Sequence, residues 1–280
     1  MSIGTPTNIG VIGLGIIGSR VAENLGKAGY NVFVWSRSER AVPHFLASPR
    51  EVAEAAKIIQ FFVRDDAALL EAMNDLRPAL TSGHIIMNHA TVSVAAVKQA
   101  AGIAAAAGAG FLDAPFTGSK NAAAAGKLVY YVGGDAALLE QVRPMLEASS
   151  TQIMLLGGIG DAMVLKIATN MISAITAKGI AEALDIVRSQ GVDPEKLLEA
   201  LVPNANYSPL VGMKLPAMIR QDFEPHFALR NMLKDADFGR ALAKSGHLKV
   251  TALDATAAAM REALDAGKGD LDFAVIGGHS

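Results

Sequence analysis

The sequence predicts an α/β fold in two parts: a doubly wound strand-and-helix domain over residues 1–160, then an all-α domain over 161–280, joined by a long helix. Three observations carry this. Short apolar runs alternate with helical patterns through the first half, which indicates βαβ units and a mainly parallel sheet. Glycine-rich turns sit where those runs end. Beyond Asp161 the strand pattern stops, and apolar residues recur at helical spacing instead.

The elements follow in order. NIGVIGL (8–14) is a strand, and IGSRVAENLGKAGY (17–30) is a helix. NVFVW (31–35), rich in β-formers, is the second strand. KIIQFFV (57–63), HIIMNH (84–89), FLDAP (111–115) and LVYYVGG (128–134) complete the set, with helices between most of them. Residues 161–191 form one long helix, with Gly191 as its C′ residue. Asp193-Pro194 starts the next helix with proline at the first position. LVPNANYSP (201–209) breaks the pattern, and further helices are expected near 209–221, 230–246 and 250–266. A long helix at the junction implies that the two domains share an interface with a cleft.

Composition narrows the function classes. The formal net charge of −2 offers no polybasic footprint for nucleic acid. The apolar runs are interrupted by Gly, Asp or Lys well before membrane-spanning length. The N-terminus, MSIGTPTNIGVIGLG, lacks a basic region and a long apolar core, so neither a signal peptide nor an anchor is expected. The absence of cysteine excludes a disulfide framework and thiol catalysis, and it suits a cytoplasmic enzyme. The six histidines show no metal-ligand spacing, so no metal site is expected.

GLGIIG (13–18) has the form GxGxxG, after a strand and at the start of a helix. In a dinucleotide-binding, Rossmann-type unit Gly13 permits the tight turn, Gly15 lets backbone approach a pyrophosphate, and Gly18 allows close helix–strand packing. Leu14, Ile16 and Ile17 complete the loop, whose N–H groups and helix dipole meet the phosphates. WSRSER (35–40) ends the second strand. Ser36 stands where an NAD-binding loop carries an acid, and Arg37, Ser38 and Arg40 follow. Guanidinium and hydroxyl groups bind a 2′-phosphate that an acid would repel, so NADP(H) is expected. A solvated basic loop is the plainer alternative.

GGIGDAMVLKIATN (157–170) places one lysine among apolar residues. Lys166 and Asn170, spaced i, i+4, share a helix face. A partly desolvated lysine has a lowered pKa and serves as general acid or base. A lysine that snorkels over apolar surface has the same spacing.

The chain resembles the β-hydroxyacid dehydrogenase family. The likeness runs through IGVIGLGIIGSRVAENLGKAGYNVFVWSRS (9–38), DAPFTGSKNAAAAGKLVYYVGGD (113–135), GGIGDAMVLKIATNMI (157–172) and FALRNMLKDADFGRALA (227–243). In its GSK segment the chain is most similar to the glyoxylate/succinic semialdehyde reductases, which prefer NADPH. The resemblance implies that Lys166 is the proton donor or acceptor and that Asn170 holds the substrate. It implies that Thr117, Gly118 and Ser119 take the substrate carboxylate, where the family has Ser-Gly-Gly. Ser119 in place of glycine implies less backbone freedom. It implies that Thr91 touches the cofactor and substrate, while Ala90 replaces the family's serine and Asn88 its neighbouring acid. Val63, Arg64 and Lys234 fall to the cofactor, and Phe227 and Asp235 to the substrate. His89 is either a structural residue or a pocket residue.

The expected activity is NADPH-dependent reduction of a small aldehyde acid, of glyoxylate or succinic semialdehyde type, by a cytoplasmic homodimer or higher homo-oligomer. An imine reductase on the same scaffold and a non-enzymatic NADP(H)-binding module are the alternatives. Imine reductases often lack the lysine, which is present here.

Overall fold

The computed structural model describes residues 7–278. Residues 1–6, part of the N-terminus read above for a signal, lie outside them.

Five strands form a parallel sheet: β1 (Asn8–Ile12), β2 (Asn31–Trp35), β3 (Ile58–Phe61), β4 (Ile85–Asn88) and β5 (Gly110–Asp113). Their order is β2-β1-β3-β4-β5. Ile9, Val11 and Ile12, Ile59 and Phe61, and Ile86 and Met87 are essentially inaccessible. That explains their near-continuous apolar runs, since an internal parallel strand is covered on both faces. The order reverses direction across β1, and sheets of this kind bind ligands at the carboxyl ends of the strands at such a reversal.

The helices of this part are α1 (Ile16–Lys27), α2 (Pro49–Ala55), α3 (Asp66–Leu76), α4 (Val94–Ala106), α5 (Lys120–Ala124) and α6 (Ala136–Glu147). Side-chain caps fix the starts of five of them: Ser48, Asp65, Ser93, Ser119 and Asp135 each accept a backbone N–H from the first turn.

The strand set differs from expectation. The LVYYVGG strand does not extend the large sheet. It is β7 (Leu128–Val132), the centre of a second sheet between β6 (Phe116–Thr117) and β8 (Ser150–Leu155). It pairs antiparallel with β6 and parallel with β8. A bridge between Asp113 and Gly133 joins the end of β5 to the end of β7.

The 29-residue helix α7 (Asp161–Ser189) follows, then α8 (Pro194–Leu201), α9 (Pro209–Arg220), α10 (Leu229–Ser245) and α11 (Thr251–Ala263). Gly191 takes φ 69 just past α7, and Asp193 caps α8 through the Glu195 N–H. Ala174, Ala177, Ala181 and Leu184 of α7 pack with Leu215, Met218, Leu229, Met232, Leu253 and Met260 in the helical core. A buried ion pair at 2.7 Å, Lys214–Asp272, ties α9 to the C-terminal segment.

The chain divides into two compact units between Lys166 and Ile167. The first turn of α7 belongs to the first of these units, bonded to strand β5 through Asp113.

Candidate active site

The glycine loop is built by contacts that two of its glycines alone permit. Gly13 has φ 102, and a Cβ there would lie 2.3 Å from the Phe62 carbonyl oxygen behind β3. A Cβ on Gly18 would lie 2.0 Å from the Gly13 oxygen. Gly15 is different: nothing stands within 4 Å of its would-be Cβ. No protein atom demands a glycine there. Gly15 starts α1 with no side-chain cap and no acid in the first turn. The N–H groups of Ile16, Ile17 and Gly18 lack intrahelical acceptors. These features fit a dinucleotide pyrophosphate. Leu14 is 5% exposed and packs in the core, so it offers only its backbone, whereas Ile16 is 58% exposed.

Beside this loop, Gly13 N–H donates to the Trp35 carbonyl at 2.8 Å. Ser36 follows, its hydroxyl donating to the Ser38 carbonyl at 2.6 Å. Arg37, Ser38 and Arg40 are exposed. Val63 is half-buried after β3. Arg64 is exposed and pairs with Asp65 at 2.8 Å.

Thr91, half-buried, sits in a loop held at both ends. On one side the Asn88 amide donates to the Ala90 carbonyl and accepts from the Ala90 N–H. On the other, Asp66 accepts both the N–H and the hydroxyl of Ser93. Thr117 lies on β6. Gly118 has φ 133, and a Cβ there would meet Leu128 Cδ2 at 2.8 Å. Ser119 has φ −87, open to any residue, and its hydroxyl caps α5 by accepting the Ala122 N–H at 3.3 Å. The expected loss of backbone freedom there is thus without consequence. The hydroxyl keeps its proton for donation.

On α7, Lys166 is 9% and Asn170 8% exposed. Their apolar neighbours divide: Met163 and Ile167 are buried, while Val164 and Leu165 are about two-fifths exposed (40% and 41%). The Asn170 amide donates to Asp235 Oδ2 at 2.7 Å. Lys234 Nζ lies 3.1 Å from Asp235 Oδ1 and 5.1 Å from the Phe238 ring centre. The Lys234 ammonium is close enough to pair with that oxygen, but it does not complete a well-aligned hydrogen bond to it. Phe227 belongs to a different group: its N–H donates to Asp272 and its ring meets Phe273 edge-on at 6.2 Å.

Two buried titratable groups complete the picture. His89 is fully enclosed, stacked on Phe62 at 4.7 Å, and its Nδ1 donates to the Ala114 carbonyl at 2.6 Å. Burial lowers its pKa to about 4, so it is a neutral core residue. Asp113 was not singled out by the sequence reading. Desolvation raises its pKa to about 7, against the pull of the Met163 and Gly160 N–H groups and the Asn88 amide. Asn88 faces this carboxyl without completing a bond to Oδ1, which has no partner.

Comparison with known proteins agrees with this architecture. Residues 8–160 match the family described as the NAD binding domain of 6-phosphogluconate dehydrogenase. Residues 160–277 match that described as NAD-binding of NADP-dependent 3-hydroxyisobutyrate dehydrogenase. The chain is 31% identical to the 2-hydroxy-3-oxopropionate reductase of Escherichia coli K12, over 85% of this chain and 84% of that protein. The chain belongs to the β-hydroxyacid dehydrogenase family. Another relative is glyoxylate/succinic semialdehyde reductase 2, chloroplastic, of Arabidopsis thaliana, 29% identical over 96% of this chain and 78% of that reductase. The fold of a Mycobacterium tuberculosis 3-hydroxyisobutyrate dehydrogenase, solved with L-serine, covers 98% of both chains with TM-score 0.90 at 24% identity. As a member of this family, the protein is an NAD(P)-dependent hydroxyacid dehydrogenase with an NAD(P)-binding domain and a small-molecule substrate. Among the described residues no helix is long and apolar enough to cross a membrane.

Proposed function

We propose that this dehydrogenase reduces a small aldehyde acid, of glyoxylate or succinic semialdehyde type, with NADPH, and that Lys166 is the general acid. The observation that carries the reading is the pair Lys166 and Asn170, nine-tenths buried on one face of α7, with Asn170 fixed by Asp235. The two reductase relatives support the substrate class.

The cofactor would be held by the Gly13–Gly18 loop, with Val63, Arg64, Thr91 and Lys234 contributing, and its 2′-phosphate by Ser36, Arg37, Ser38 and Arg40. When bound, it supplies the hydride. Thr117, Gly118 and Ser119 take the substrate carboxylate, two of them through hydroxyl donors, and Phe227 and Asp235 contribute to substrate binding. Lys166 Nζ donates its proton to the carbonyl oxygen as charge builds there, and its ammonium stabilises that charge beforehand. Asn170, oriented by Asp235, keeps the oxygen in line. In the reverse direction Lys166 accepts the hydroxyl proton.

The test is NADPH consumption on glyoxylate and succinic semialdehyde, with NADH and cyclic imines in parallel. Rapid NADPH-dependent turnover of an aldehyde acid supports the reading. Turnover confined to imines, or none despite tight binding, overturns it. The cofactor preference has its own test. Ser36→Asp or Arg37→Ala removes charge-assisted contacts to the 2′-phosphate worth about 1.5–3 kcal/mol. The ratio of NADPH to NADH efficiency should fall by about 10- to 100-fold, and an unchanged ratio refutes the loop assignment.

The same reading makes the protein a cytoplasmic homodimer. Leu165, Ile172, Gly179 and Ile186 recur every seven residues along α7 and are exposed, Ile172 by 66% and Ile186 by 64%. A seven-residue apolar seam on a long helix suits pairing with a second copy. Ile172→Glu with Ile186→Glu should convert a dimer to monomer in light scattering. A wild-type chain that is already monomeric removes the proposal.

A further inference from the structure

The bonds at the end of β5 link the two sides of the reaction centre. Asp113 Oδ2 accepts the Met163 N–H at 2.9 Å, and the Gly160 N–H also faces this carboxyl. Met163 stands one helical turn before Lys166. The backbone of Asp113 is bonded in both directions to Gly133, at 2.9 and 2.7 Å, so its carboxyl is delivered from a rigid strand end. On its other side lies Asn88, 0% exposed, whose amide also closes the turn at Ala90 next to Thr91. Asn88 and Asp113 thus lie side by side in the interior, the one bonded to the Ala90 turn beside Thr91 and the other to the first turn of α7.

We propose that Asp113 is a positioning residue that sets the start of α7, and hence the place of Lys166, relative to the Thr91 loop. The inference rests on the reading of Lys166 as proton donor. Two other bonds at this turn are made locally or by backbone. Asp161 accepts the Gly158 N–H at 2.8 Å, and the Gly134 N–H donates to the Gly157 carbonyl at 2.9 Å. Neither of these two bonds reaches β5, whereas the Asp113 carboxylate does. The placement also costs stability. With its pKa raised from 3.8 to about 7, Asp113 holds a proton in the folded chain that the unfolded chain has lost, so stability falls as pH rises through that window.

The experiment compares wild type, Asp113→Ala and Asp113→Asn. It reads kcat and KM on the active aldehyde acid and NADPH binding by quenching of the single tryptophan, Trp35. It also reads amide hydrogen exchange over residues 160–170. Misplacement of a reacting group by about 1 Å costs on the order of a hundredfold. Asp113→Ala should therefore lower kcat by about that factor, leave NADPH affinity within about twofold, and speed exchange at Met163 and its neighbours. Asp113→Asn, which keeps an acceptor oxygen, should recover part of both losses. Unchanged exchange in both variants overturns the inference, and so does faster exchange with wild-type kcat. Loss of NADPH binding alongside kcat overturns it too, as the sign of general unfolding. If wild type turns over no aldehyde acid, the functional reading falls, while the exchange measurement still decides whether Asp113 seats the helix.

Discussion

Lys166→Ala should cut kcat by about a thousandfold while NADPH binding, read from Trp35, stays within about twofold of wild type. General acid–base catalysis by a placed side chain contributes roughly 10²–10⁴-fold. The middle of that range is about 4 kcal/mol of transition-state stabilisation at 1.36 kcal/mol per decade. The side chain sits on α7 and is no part of the glycine loop that follows β1, so its loss should spare NADPH binding. Lys166→Arg separates the two parts of the role. A guanidinium keeps the charge but does not release its proton at working pH. If proton donation dominates, Arg is nearly as slow as Ala. If charge stabilisation dominates, Arg recovers much of the rate. Wild-type turnover in Lys166→Ala sinks the assignment, and leaves Lys166 as a residue that covers apolar surface.

How far the sequence could be read depends on the range of the constraint. The glycine loop was legible because its demands are local: Gly13 needs positive φ, Gly18 needs contact with a carbonyl five residues back, and the flanking strand and helix announce themselves. Lys166 and Asn170 were legible because an i, i+4 pair shares a face on any helix. The edge strand β8 was missed because it opens on Ser-Thr-Gln and stays partly exposed, so its apolar residues, Ile153 to Leu155, fill only its second half. The two residues of β6 are too few to carry a pattern, and without them the strand at 128–132 looked like one more member of the parallel sheet. Asp113 stood in a quoted motif but drew no role, since its partner Met163 lies 50 residues away and only the folded chain joins them. His89 was ambiguous until its stacking on Phe62 and its bond to Ala114 placed it in the core.

The glycine loop yields the second large effect, through a contrast between two of its members. Gly15 has φ −74 and ψ −166, a conformation open to any residue, and its would-be Cβ touches nothing. Gly15→Val should therefore leave the melting temperature nearly unchanged. Its branched side chain would stand in the space where the backbone meets the pyrophosphate, and NADPH affinity should fall by at least about a hundredfold. That corresponds to about 2.8 kcal/mol at 1.4 kcal/mol per decade of binding constant. Gly18→Val should behave in the opposite order. Its Cβ would lie 2.0 Å from the Gly13 oxygen and 3.0 Å from Phe62 Cβ, and neither backbone nor strand end yields cheaply. That variant should lose several degrees of melting temperature before any ligand is added, through overpacking of about 1–3 kcal/mol. Titration of Trp35 fluorescence with NADPH, beside a thermal melt, reads both quantities on the same samples. If Gly15→Val unfolds the chain as readily as Gly18→Val, the loop is a structural turn and its glycine pattern says nothing of a ligand. If Gly15→Val is stable and no longer binds, the empty space beside that glycine was kept for the cofactor.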